Sequence, residues 1–181
     1  MKIITIPNIL TIFRFFVIPF AAYNIYISNF YTALFLIFIA VVTDGLDGFI
    51  ARKFNQTSKL GKIIDPIADK LLVIVGLVTV YFNKDIEFNS ILIAVIIFRE
   101  IYILAGGLFL LIKSKRFKIS PTIVGKVTAF CEFMMLILII LNQITITMNY
   151  FLELSIWAVV IMLIVSFVQY TVLGFRYLSD W

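Results

Sequence analysis

Between residues 8 and 175 the sequence passes through six apolar segments, each about as long as a helix needs to be to cross a lipid bilayer. We place these segments at roughly 8–28, 31–51, 62–82, 88–112, 122–143 and 149–175. Composition points the same way. Hydrophobic residues make up 63% of the chain and charged residues only 14%, with a mean hydropathy of +1.12. A soluble fold of this size must turn much of its surface to water and has nowhere to bury so much apolar side chain. The expectation is an all-α, integral membrane bundle of six transmembrane helices forming a single domain over residues 1–181. No short apolar core ending in a small-residue cleavage site stands at the start, so the first segment is expected to stay in the membrane.

The few charges are not scattered. Arg52, Lys53 and Lys59 follow the second segment, with Lys62 at the far end of that loop, and Lys113, Lys115, Arg116 and Lys118 follow the fourth. The other connections hold only one basic residue, Lys84. Positive residues stay on the cytoplasmic side, so both basic loops and both termini are expected there. The formal charge of +5 then needs no nucleic-acid partner: basic residues that fix topology and meet anionic headgroups account for it.

Absences narrow the chemistry. The chain has no histidine and one cysteine, Cys131, which removes disulfide scaffolds, thiol-rich zinc sites, Ser-His triads and imidazole acid–base catalysis. Cys131 lies in an apolar run and reads as a small buried hydrophobe. Polar chemistry must therefore come from carboxylates, Lys or Arg, hydroxyls, backbone, or a bound hard cation.

The stretch Thr43–Lys70 concentrates such groups. Asp44 and Asp47 are three apart at the end of the second segment, and Asp65 and Asp69 are four apart at the start of the third. Either spacing puts both members of a pair on one helix face. The basic loop between them reverses the chain, so the two pairs can converge. Four anions gathered at the edge of the hydrocarbon repel one another and are costly to desolvate. Protonation or bound cations would relieve them, and an all-oxygen donor set favours Mg²⁺, Mn²⁺ or Ca²⁺ over zinc or copper. Gly48 follows Asp47, Gly61 precedes Asp65 by one turn, and Ala51 extends the small-residue strip, leaving room for something bulky. Arg52 is placed to meet a phosphate. Taken singly, Gly48 or Ala51 reads as ordinary helix packing. Two phased carboxylate pairs beside a bare strip and an arginine read as a nucleotide diphosphate site.

This stretch resembles the signature of the CDP-alcohol phosphatidyltransferase family, D-x2-D-G-x2-A-R-x8-G-x3-D-x3-D. Asp44, Asp47, Gly48, Ala51, Arg52, Gly61, Asp65 and Asp69 fill all eight positions. Pro7-Asn8-Ile9-Leu10-Thr11 with Arg14 is similar to the family's opening segment, and Arg99–Glu100 and Gly125–Lys126 also look like family features. The resemblance implies six transmembrane helices in that family's fold, a homodimer, and two divalent cations, Mg²⁺ or Mn²⁺, between the second and third helices. It implies Asp44, Asp47 and Asp65 as metal ligands and Asp69 as general base that also touches a metal. Gly48, Ala51, Arg52 and Gly61 would line the nucleotide site. The activity implied is transfer of a phosphatidyl group from CDP-diacylglycerol to an alcohol, with release of CMP.

Two acceptors compete. Glycerol 3-phosphate, giving phosphatidylglycerophosphate, is the common one, and Arg99 and Lys126 are the expected ligands of its phosphate, with Glu100 or Glu132 as structural partners of these cations. Against it, relatives that use glycerol 3-phosphate often carry a second Arg eight residues after the first, where this chain has Gly107. Ser120-Pro121-Thr122 ahead of Gly125–Lys126 looks more like eukaryotic-type cardiolipin synthases, whose acceptor is phosphatidylglycerol. Outside enzymes altogether, a small cation transporter would also carry intramembrane acids. It would place them near mid-bilayer on repeated or broken helices, and here they cluster at one end with no repeat. The glycerophosphate reading comes first.

Overall fold

The computed structural model describes residues 6–53, 61–113 and 122–179. These are helical almost throughout, as α1 (Ile6–Tyr26), α2 (Phe30–Lys53), α3 (Gly61–Phe82), α4 (Ser90–Lys113), α5 (Ile123–Ile144) and α6 (Asn149–Ser179). One short 3-10 turn, Ile146–Met148, separates α5 from α6, and no strand occurs among the described residues. The six apolar segments are thus six helices, with boundaries close to those expected except that α6 runs on to Ser179. Among the described residues, three stretches are long and apolar enough to cross a membrane on their own: Ile9–Tyr26, Ile123–Ile144 and Asn149–Phe175. Shorter apolar helical runs occupy Phe30–Leu46 and Lys70–Phe82. The charged motif takes up the end of α2 and the start of α3, and Arg99–Glu100 breaks the apolar run of the continuous helix α4.

The helices form two compact units, one of α1–α3 and one of α4, α5 up to Asn142, and α6. In the first, α1 packs on both α2 and α3. Ala33, Ile37 and Ala40 recur at helical spacing on the buried side of α2, and Ala21 and Ile25 are buried on α1. Small residues at such positions let helix backbones approach closely where lipid offers no hydrophobic drive. In the second unit Ile93 and Ile96 of α4, Met135, Leu136, Ile139 and Ile140 of α5, and Val159 and Leu163 of α6 are buried. Phe16, Phe20, Phe35, Phe38, Phe98 and Trp157 are exposed, as residues bathed in acyl chains should be.

Local sequence explains the turns. The N–H of Ser28 reaches the Ile25 carbonyl and that of Asn29 the Asn24 carbonyl, with Ser28 at φ 59°. This is the Schellman end of α1, a position glycine usually fills. Serine is used for its hydroxyl, which donates to Asp85 and accepts from the Asn83 side-chain amide. Asn83, just past α3 and buried, also donates to the carbonyls of Ile25 (2.7 Å) and Tyr26 (3.2 Å). Its Oδ1 accepts from the backbone of Asp85 and Ile86. One amide thereby closes the α1–α2 turn against the end of α3. Asn89 caps α4 and Thr122 caps α5, each accepting backbone N–H groups of the first turn.

Candidate active site

The motif occupies the end of α2 and the start of α3. Among its residues the structure describes the side chain of Asp44. Asp47, Gly48, Ala51 and Arg52 continue α2, and Gly61, Asp65 and Asp69 open α3, but their side chains lie outside the described residues. Asp44 sits one turn past Ile39–Ala40, whose carbonyls accept the hydroxyl of Thr43 at 2.9 and 2.8 Å. That satisfies the Thr43 hydroxyl within its own helix, so it needs no other partner.

Asp44 does not stand alone. Its Oδ1 lies 2.8 Å from Nη2 of Arg14, which comes from α1. The Arg14 side chain is 1% exposed and that of Asp44 46%, so the cation is sealed among helices while the carboxylate looks out. Thr11, one turn before Arg14, is buried as well. Beyond Asp44 the surface opens: a side chain at Gly45 would meet no heavy atom within 4 Å, and Leu46 is exposed. On α3, Ala68 is fully buried next to Asp69.

No three His, Cys, Asp or Glu side chains cluster closely enough to hold a metal among the described residues. The chemistry of the motif's donor set still fits a hard divalent cation. It is all carboxylate, and Asp44 is tethered through a single oxygen with half of its side chain exposed.

The expected acceptor ligands are in the second unit and have different surroundings. Arg99 of α4 is 3% exposed. Its Nε donates to Ser166 Oγ of α6 at 3.1 Å, and Nη2 reaches the same oxygen. Its Nη1 pairs with Glu100 and lies 3.8 Å from Oε1 of Glu132 on α5. Both acids foreseen as structural partners therefore surround Arg99. Lys126, by contrast, is exposed in the first turn of α5 and makes no ion pair among the described residues. The residue before it, Gly125, lies under the Tyr170 hydroxyl, where any Cβ would collide. Gly107, Ser120 and Pro121 lie outside the described side chains.

Sequence reasoning noticed Arg14 only as part of a familiar opening segment and did not pair it. The signal was present, because a lone cation within an apolar span must find an anion. Ser166 gave no signal: a serine on a long apolar helix reads as a packing residue.

Comparison with known proteins bears on the whole chain. Residues 4–173 match the sequence profile of the CDP-alcohol phosphatidyltransferase family. A CDP-diacylglycerol–glycerol-3-phosphate 3-phosphatidyltransferase of Aquifex aeolicus is 33% identical over 173 residues, covering 94% of this chain and 96% of its own length. Proteins of the same name from Haemophilus influenzae (40% identical, 67% of each chain) and Escherichia coli (37% identical, 67% of this chain and 69% of that one) are also similar. The bilayer-length helices make the chain an integral membrane protein. With the eight-position motif and a match along nearly all its length, it belongs to the CDP-alcohol phosphatidyltransferase family.

Proposed function

We propose that this enzyme transfers the phosphatidyl group of CDP-diacylglycerol to glycerol 3-phosphate, releasing CMP and forming phosphatidylglycerophosphate. The observation that carries this reading is the likeness to the Aquifex aeolicus enzyme over 94% of the chain. The cation-transporter alternative has no comparable support.

Asp44, Asp47, Asp65 and Asp69 would hold two divalent cations, Mg²⁺ or Mn²⁺, which when bound neutralise the diphosphate and polarise the reacting phosphorus. Asp69 receives the proton of the acceptor hydroxyl. The freed oxygen bonds to the phosphorus that carries the diacylglycerol, and the bond from that phosphorus to the bridging oxygen of CMP breaks. Arg52 offsets the charge that collects on the departing CMP. Gly48, Ala51 and Gly61 leave the space the nucleotide needs. The acyl chains stay in the bilayer throughout.

The basic segments after α2 and α4 support a site facing the cytoplasm from the cytoplasmic membrane, where the cytidine nucleotide is released. We read the chain as one transmembrane domain working as a homodimer.

One observation favours a second acceptor. Arg99 is engaged by Glu100 and approached by Glu132, so one of the two cations invoked for a phosphorylated acceptor is already compensated. Phosphatidylglycerol, the acceptor of cardiolipin synthases, would make no such demand. An acceptor panel decides. Purified protein with CDP-diacylglycerol and Mg²⁺ is given glycerol 3-phosphate, phosphatidylglycerol, inositol phosphate or serine, and CMP release is measured. Release is expected with glycerol 3-phosphate; release with phosphatidylglycerol alone would overturn the first reading.

A further inference from the structure

The function above assigns roles to motif residues on α2 and α3 and none to α1, yet among the described residues the most deeply buried cation of the first unit comes from α1. Arg14 is 1% exposed and reaches Asp44 Oδ1 at 2.8 Å. A guanidinium so buried cannot serve as a solvent-facing ligand. It can fix whatever it holds. Its fork geometry is rigid.

The exposures point in one direction. In an ordinary buried ion pair both partners are dry. Here the arginine is dry and the carboxylate is 46% exposed, so the pair anchors a group that faces outward. Thr11 and Val17, one turn to either side of Arg14, are also buried, and α1 packs on both α2 and α3, so the anchor itself is held by the helix interface. Binding one carboxylate oxygen from behind selects one orientation of the group and leaves the other oxygen's direction set by the pair.

We propose that Arg14 is a positioning residue of the transfer site: it fixes the Asp44 carboxylate for the divalent cation that Asp44 binds, and it offsets part of the negative charge gathered there. This deepens the proposed function and rests on it for the identity of the site. Partners behind a ligating group orient it and tune its basicity, and their loss weakens metal affinity or activity about 10–100-fold.

The test uses the full chain in detergent with Arg14→Met, which keeps bulk without charge, and Arg14→Lys, which keeps charge without the fork. Mn²⁺ affinity is read by electron paramagnetic resonance, and kcat and KM for glycerol 3-phosphate by CMP release. Arg14→Met should bind Mn²⁺ about 10–100-fold more weakly and lose kcat with KM for the acceptor little changed. Arg14→Lys should lie between it and the wild type. Wild-type Mn²⁺ affinity in a folded Arg14→Met protein would overturn the proposal. If Arg14→Met does not fold, Arg14→Lys decides, and an affinity equal to wild type would overturn it. Should the wild type bind Mn²⁺ yet transfer nothing to glycerol 3-phosphate, the reaction assigned above fails while the Mn²⁺ titration still judges Arg14.

Discussion

Arg14 and Arg99 are buried to nearly the same degree, 1% and 3% exposed, yet one reaches a half-exposed carboxylate and the other sits beside two dry ones and a hydroxyl. At Arg14 the acid it pairs with remains 46% exposed. Around Arg99, one positive charge faces Glu100 and Glu132, with Ser166 accepting from the same guanidinium. The difference teaches how to separate a cation that serves a site from one that holds helices together. Burial alone does not distinguish them; the exposure of the partner does.

The largest effect expected from this contrast is on stability. Arg99→Met removes the guanidinium that Glu100 and Glu132 approach among α4, α5 and α6, and removing one partner of a buried ion pair costs about 3–5 kcal/mol. Arg14→Met should cost less, because water can take over at a carboxylate already half exposed. Thermal unfolding of both variants in detergent gives the order. A folded Arg99→Met protein that is as stable as wild type and loses only affinity for glycerol 3-phosphate would break the comparison, and would return Arg99 to the acceptor role that family resemblance suggests. Restoring stability by adding Glu132→Gln would sharpen it instead.

A neutral counterpart stands at the other end of the first unit. Asn83 is buried and uses both ends of its amide, donating to Ile25, Tyr26 and Ser28 and accepting from Asp85 and Ile86. Asn83→Ala leaves several of these backbone groups without partners, at about 1–3 kcal/mol. Unlike Arg14→Met, it should lower the unfolding temperature with no change in Mn²⁺ affinity. If it weakened Mn²⁺ binding as much as Arg14→Met, loss of Arg14 would be acting through general loosening of α1–α3, and the distinction between the two ends would fall.

These elements differ in how far the sequence betrayed them. The six helices were legible because bilayer-length apolar runs leave the backbone one way to satisfy its hydrogen bonds. The motif was legible because its spacing is fixed by helix periodicity within α2 and α3. The partnership of Arg14 with Asp44 joins residues thirty positions apart, and no local periodicity encodes which helix faces which. Glu100 was within reach of a sequence argument as the neighbour of Arg99, and Glu132 as a second acid in an apolar helix. Ser166 was not, since a hydroxyl can always satisfy itself on its own helix. Ser28 at positive φ was also hidden, because glycine is the usual occupant and only the link to Asn83 and Asp85 explains the exception.

The smallest effect tests the second unit where it adjoins Lys126. Gly125 lies in the first turn of α5, where its N–H is held by the Thr122 hydroxyl at 3.0 Å. A Cβ there would collide with the hydroxyl oxygen of Tyr170 and lie 3.2 Å from Tyr170 Cε2 and from Thr122 Oγ1. Alanine is the better helix former by about 0.5–1 kcal/mol, while overpacking costs about 1–3 kcal/mol, so Gly125→Ala should destabilise by about 1 kcal/mol. In a Tyr170→Phe background the colliding oxygen is gone while the 3.2 Å contacts to the ring and to Thr122 Oγ1 remain, so the same change should cost less. Such a reduction in a double-mutant cycle measures the share of the clash that belongs to the Tyr170 oxygen. An equal cost in both backgrounds would mean that Gly125 is required for something other than Tyr170. Room for an acceptor beside Lys126 is then the explanation to pursue, and it would give the second unit a site of its own to set against the structural cluster around Arg99.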